Sequence, residues 1–165
     1  MSNFSRPGVY LAGPITGLTY GQARHGWRKE FADLLAIRAP HIECWSPMRQ
    51  KEFLDNQQEL ECRGDDLQKI EHALARPLGI LARDSNDVGN RDAMVACFLG
   101  ATRVSIGTVW EIGHAAAQVP RKPIVVVMEP DNVHNHVFIT HSSGYVVETL
   151  DEAALIIGSL LTAGV

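Results

Sequence analysis

Ser105-Ile106-Gly107-Thr108-Val109-Trp110-Glu111-Ile112-Gly113-His114-Ala115 lies between two apolar runs, residues 93–99 and 124–128. The order reads as strand, glycine-containing loop, helix, strand. The pattern predicts a helix over 109–118, with Glu111 in its first turn at the carboxyl edge of a parallel sheet. Open α/β sheets bind their ligands along that edge. A carboxylate placed there can serve as a nucleophile or a base.

Outward from this stretch, the rest of the chain repeats the alternation. Residues 9–12 form a short apolar run ended by Gly13-Pro14, a first buried strand and a sharp turn. Trp27, Phe31, Leu34 and Leu35 recur at helical spacing, which predicts a helix over about 20–37. A second strand is expected at 42–45. Residues 50–77 are polar and mostly helical in pattern, and 84–90 read as a short helix or turn. Strands at 93–99, 124–128 and 145–147 follow. Thr149-Leu150-Asp151-Glu152 is a capping-box sequence opening a last helix over 151–162. Such alternation implies one doubly wound, flavodoxin- or Rossmann-like α/β domain over 1–165. Its five-stranded parallel sheet is expected in the order 2-1-3-4-5. The switch point then lies between strands 1 and 3. There the Gly13-Pro14-Ile15-Thr16-Gly17 loop faces the loop over 100–108.

Composition narrows the class. The chain has 165 residues, 45% of them hydrophobic and 21% charged, which suits a globular protein with a sizeable core. A net charge of −4 without a basic run disfavours duplex nucleic acid as a partner. Cys44, Cys62 and Cys97 show no CxxC pairing and read as reduced thiols of a cytoplasmic protein. Neither a signal-peptide pattern nor an apolar run of the ~20 residues a membrane span needs is present.

The local chemistry leaves alternatives open. Thr108-Val109-Trp110-Glu111 also matches a capping box, in which Glu111 bonds back to the helix start and does no chemistry. Ser105, Gly107 and Thr108 border that helix N-terminus, where free N–H groups favour an anion such as phosphate. Ordinary turn and cap chemistry would use the same residues. Arg83, Asp84, Asp87 and Asp92 precede the third strand as a cap and solvated turn, or Asp84 supplies a second carboxylate beside Glu111. A pair of carboxylates suits glycosyl transfer, one attacking the anomeric carbon and the other handling protons. His134-Asn135-His136 could bind metal, but no third ligand stands at a telling spacing, and a hydrogen-bonding loop is the favoured reading. Arg49, after the second strand, meets an anion or simply faces solvent.

These segments together resemble the nucleoside 2-deoxyribosyltransferase family. The matching pieces run in family order over residues 9 to about 155. They are Val9-Tyr10-Leu11-Ala12-Gly13-Pro14-Ile15, Arg83-Asp84 with Asp92-Ala93-Met94-Val95, Gly107-Thr108 with Glu111-Ile112-Gly113 and Ala115, Lys122-Pro123, and Asn135-His136. The resemblance implies that Glu111 attacks C1′ of the deoxyribose and that Asp84 handles the leaving base and its proton. Trp110 would wall the pocket. Homo-oligomers would share sites through the Asn135 loop, and no cofactor or metal would be used. The family's nucleoside enzymes carry Asp at the position of Ser105, where it meets the sugar 5′-hydroxyl. Serine there resembles the related 5′-monophosphate N-glycosidases. Some of those carry Arg where this chain has Thr16.

The sequence therefore points to an enzyme that breaks the N-glycosidic bond of a 2′-deoxyribonucleoside or its 5′-monophosphate and passes the sugar to another nucleobase. A nucleotide N-glycosidase using water, and a non-catalytic nucleotide sensor on the same fold, are the alternatives. The expected partners are small nucleosides, nucleotides and free bases.

Overall fold

The computed structural model describes residues 6–61 and 72–162. Five strands form one all-parallel sheet: β1 (Gly8–Ala12), β2 (Glu43–Trp45), β3 (Ala93–Cys97), β4 (Ile124–Val127) and β5 (Tyr145–Val147). Their spatial order is β2-β1-β3-β4-β5, as the alternation predicts, so the sheet reverses between β1 and β3. Among the described residues the helices are α1 (Tyr20–His25), α2 (Trp27–Arg38), α3 (Pro77–Asn90), α4 (Ile106–Ala116), α5 (Val137–Thr140) and α6 (Leu150–Leu161).

The three central strands are buried on both faces, which is why they read as unbroken apolar runs rather than alternating ones. Period two then divides each strand between two cores. Val9, Leu11, Val95 and Val127 pack with Phe31 and Leu35 of α2 and Ile157 of α6. Tyr10, Ala12, Met94, Ala96 and Val126 pack with Val88 of α3 and Ile112 and Ala115 of α4. Tyr10 thereby projects to the face that carries Glu111.

Four expectations change. The single helix over 20–37 is two helices, because the chain bends at Gly26, where a Cβ would lie 2.7 Å from the Gln22 carbonyl oxygen. Residues 84–90 are the second half of the longer helix α3, which opens with Pro77 in its first turn. The described part of 50–77 holds two 3₁₀ turns, Glu52–Leu54 and Ala73–Ala75, in place of longer helix. Residues 62–71 of that stretch lie outside the described residues. Helix α4 begins at Ile106, about one turn before the expected 109.

Cys44 and Cys97 are free thiols, both pushed up to about 12 by burial; Cys62 lies outside the described residues. Among the described residues no helix is long and apolar enough to cross a membrane.

Candidate active site

Tyr10 is fully buried, and its phenol donates a hydrogen bond of 2.7 Å to Glu111 Oε1. A buried phenol needs a partner, and the one it finds comes from α4. Burial is the main cause that pushes the Glu111 carboxyl up to about 7, with the charge of Asp84 adding to it. The Tyr10 hydrogen bond, Arg28 and Lys51 act in the opposite direction. The Tyr10 phenol is raised well above its ordinary range, first by burial and then by Glu111, so it remains a donor.

The early start of α4 removes the capping-box reading. Ser105 is the N-cap, and its carbonyl accepts the Val109 N–H at 3.0 Å. Glu111 therefore sits in the second helical turn, beyond reach of the cap, and its oxygen is engaged across the sheet instead. Gly107 resembles a loop residue in sequence, yet a helix tolerates a glycine at a cost near 1 kcal/mol when tertiary contacts favour it. A Cβ at Gly107 would meet nothing within 4 Å, so that side of the first turn of α4 faces open space, while Thr108 is buried.

Asp84 lies on α3, next to α4. Its carboxyl is raised chiefly by burial and further by Asp87, against the pull of Lys51, Arg83 and Arg49. Asp84 Oδ1 is buried without a hydrogen-bond partner among the described residues. Such an atom is costly to leave unmatched, and functional sites are where the cost is tolerated. The charge of Asp84 thus reaches Glu111 on the adjacent helix, and both carboxyls are shifted toward the protonated form.

The surrounding cations are held in place. Arg49 forms a two-point ion pair with the buried Asp87, at 2.8 Å (Nη2–Oδ1) and 2.5 Å (Nη1–Oδ2), and its guanidinium lies 4.7 Å from the Trp45 ring centre. Arg83 in turn donates to the Arg49 carbonyl at 2.6 Å. Arg28, 2% exposed, donates to the carbonyls of Ala23, Gly13 and Leu11 at 2.7, 2.9 and 3.3 Å. Burial lowers its guanidinium to about 10, which leaves it charged at neutral pH. It anchors the loop after β1.

That loop faces the loop after β3, as the topology requires. A Cβ on Gly17 would lie 3.1 Å from an Arg103 guanidinium nitrogen. Gly13 is packed so closely that a Cβ would fall 2.8 Å from the Trp27 ring and 2.9 Å from the Cys97 carbonyl oxygen. Pro14 is partly buried and Thr16 exposed. Ile15 packs under the loop against Tyr20, Met48, Leu54 and Leu60. Ser105 Oγ and Thr108 Oγ1 are 2.9 Å apart. Trp110 is partly exposed and stacks on His114, with ring centres 5.2 Å apart.

The two histidines read as a possible metal pair take separate roles. His134 is buried and accepts the Ser105 N–H, whereas His136 is exposed and accepts the Phe138 N–H at the start of α5. Asn135 is exposed and donates to the Pro130 carbonyl.

Tyr10, Arg28 and Lys51 escaped the sequence reading as parts of the site, and His134 was read only as a possible metal ligand. Tyr10 was visible as the one polar side chain within the 9–12 run. Arg28 was visible as a charge three and seven residues before Phe31 and Leu35, on the buried face of α2.

Residues 9–153 match the family model described as nucleoside 2-deoxyribosyltransferase. Among solved structures, the chain is similar to a conserved protein from Enterococcus faecalis V583, at 18% identity and a TM-score of 0.65. That alignment covers 94% of this chain and 99% of the other. It is also similar to a 2-deoxyribosyltransferase from Bacillus psychrosaccharolyticus, at 18% identity and a TM-score of 0.58, over 89% of this chain and 90% of the other. No curated protein sequence matches it.

Proposed function

The chain belongs to the nucleoside 2-deoxyribosyltransferase family, and from that premise we propose that it cleaves the N-glycosidic bond of a 2′-deoxyribonucleoside, or its 5′-monophosphate, by double displacement at Glu111. The observation that carries this reading is the Tyr10–Glu111 hydrogen bond together with Asp84, whose buried Oδ1 has no hydrogen-bond partner among the described residues. Tyr10 holds Glu111 Oε1 and leaves Oε2 to attack C1′. The C1′–N bond breaks with its electron pair going to the base, and Asp84 delivers a proton to that base. A glycosyl ester of Glu111 results. A second base then attacks C1′ through nitrogen, its proton passes to Asp84, and the Glu111 carboxylate departs. This is the two-step logic of a retaining glycosidase with nitrogen as the leaving atom.

Gly13, Pro14, Ile15 and Thr16 form one wall of the crevice, and Ser105, Gly107 and Thr108 the other. Trp110 closes the α4 side. Arg49 supports Asp87 and the Ser46 carbonyl, so its contribution is to hold the wall rather than to bind substrate. Val104, Ile106, Val137 and Phe138 are exposed apolar residues around α4 and α5. They support a homo-oligomer whose neighbour brings Asn135 and His136 to the site.

The second reading, a 5′-monophosphate N-glycosidase with water as acceptor, is favoured by Ser105. Its side chain makes no cap bond to the helix. The first N–H groups of α4 thus remain available to a phosphate.

Incubating the purified protein with deoxynucleosides and 5′-monophosphates, with and without a free base, separates these readings by chromatography. A new nucleoside appearing only with added base marks transfer. Release of base without it marks hydrolysis. Intact-mass detection of a deoxyribosyl adduct, absent in Glu111→Gln, tests the ester. No turnover and no adduct with any substrate would leave the sensor reading.

A further inference from the structure

We infer that His134 is a positioning residue for the substrate loop: by accepting the Ser105 N–H it fixes the start of α4, and so sets how tightly the 5′ end of the sugar is held. The inference rests on the proposed placement of Ser105 at that end.

Hydrogen bonding fixes the state of the imidazole. Ser105 N–H can only donate, and it points at His134 Nε2 at 2.8 Å. Nε2 must therefore be bare, and the ring proton sits on Nδ1, which lies 2.9 Å from Asn132 Oδ1. The orientation of the Asn132 amide is set independently. Its Nδ2 donates to the Phe98 carbonyl at 2.8 Å and to Glu129 Oε2 at 2.7 Å, which turns Oδ1 toward His134. Oδ1 also accepts the His134 N–H at 3.0 Å. The other Glu129 oxygen accepts the Gly100 N–H at 2.7 Å.

A closed relay results, from Gly100 through Glu129, Asn132 and His134 to Ser105. It ties both ends of the loop after β3 to the segment between β4 and α5. The imidazole is 1% exposed and stacks on Phe98, ring centres 3.9 Å apart and planes 16° from parallel. Each donor and acceptor along the relay has its match, so the geometry is determined and not merely allowed. The residue held at its end, Ser105, is both the N-cap of the helix that carries Glu111 and the partner of Thr108 Oγ1.

The test compares wild type, His134→Gln and His134→Leu. Gln can place an oxygen near the position of Nε2 and accept the Ser105 N–H; Leu cannot. Nitrogen-15 spectra of the imidazole should show wild-type His134 neutral with its proton on Nδ1. In His134→Leu, the Ser105 amide should exchange with solvent faster than in wild type. The loss of one such bond should raise KM about five- to tenfold, with kcat falling by less. His134→Gln should recover most of the loss in KM.

A proton found on Nε2 would overturn the inference. So would an unchanged Ser105 exchange rate and KM in His134→Leu, or a fall in kcat alone. If His134→Leu does not fold, the tautomer and the Gln variant still decide. If wild type turns over no substrate, the proposed reaction fails, while the tautomer and amide-exchange results still judge the relay.

Discussion

Tyr10 and Glu111 are 101 residues apart in the chain, and their side chains meet at 2.7 Å across the face of the sheet. The parallel order makes β1 an interior strand between β2 and β3, and period two turns Tyr10 toward α4. The phenol stabilises the ionised Glu111 against a burial that opposes it. Tyr10→Phe keeps the ring in the core and removes that donor. A hydrogen bond to a charged group contributes about 1.5–3 kcal/mol, so kcat/KM at pH 7 is expected to fall about ten- to a hundredfold. The acid limb should move to higher pH, and the loss should shrink at pH 9. Rate profiles of both proteins from pH 5 to 9 check this; an unshifted limb would count against the pairing.

The wild-type limb itself follows from Glu111. An attacking carboxylate must be ionised, and this group is pushed up to about 7. Glu111 should therefore set the acid limb of the profile, near 7, and loss of the proton that Asp84 delivers should set an alkaline limb.

The folding consequence has the opposite sign. The folded carboxyl holds its proton to about 7, whereas an ordinary one releases it near 4.5. Stability from the neutral group is present below about 4.5 and lost as pH rises through 7. Glu111→Gln has no charge to bury and can still accept from Tyr10. It should be more stable than wild type at pH 8 by about 1–3 kcal/mol, and no more stable at pH 4. Its turnover should collapse by orders of magnitude. Denaturant melts at both pH values, run beside activity assays, check the pair of effects.

The sheet was legible in the sequence because burial on both faces leaves β3 and β4 as continuous apolar runs of a length that only strands share. Alternation points to a doubly wound parallel sheet, for which 2-1-3-4-5 is one of the common orders. The start of α4 was not legible. Thr108 and Glu111 satisfy a local capping pattern, but the N-cap is Ser105, whose N–H bonds to His134, 29 residues on. The break at Gly26 was hidden by an apolar period that continues past it. Glu111, Asp84 and Ser105 could be singled out, but the partner of Glu111 could not. Nothing near position 10 reveals which helix will lie over it.

In the proposed reaction Asp84 moves the proton of the departing base. Asp84→Asn keeps the shape and removes the acid. Cleavage of a nucleoside with a poor leaving base should slow by about 10²–10⁴. A substrate whose base leaves readily as an anion should be partly spared. Single-turnover rates for the two substrates give the comparison, and equal losses would assign Asp84 to positioning alone.

In the proposed site Ser105 would set the tolerance for a 5′-phosphate. Its hydroxyl is neutral, it bonds to Thr108 Oγ1 at 2.9 Å, and it leaves the first N–H groups of α4 uncapped. A phosphate there would meet donors and the positive end of the helix dipole. A carboxylate at the same place would put like charge beside it, at a cost of about 1 kcal/mol or more where partly buried. It would also cap the helix and compete for the same N–H groups. Both effects act against phosphate and neither against a 5′-hydroxyl, which can donate to the new carboxylate. Ser105→Asp should thus shift kcat/KM from the monophosphate toward the nucleoside by about tenfold or more, 1.4 kcal/mol being a factor of ten. Measuring both substrates in both proteins decides it. A ratio that stays fixed would place the phosphate away from this loop and favour nucleoside transfer over nucleotide hydrolysis.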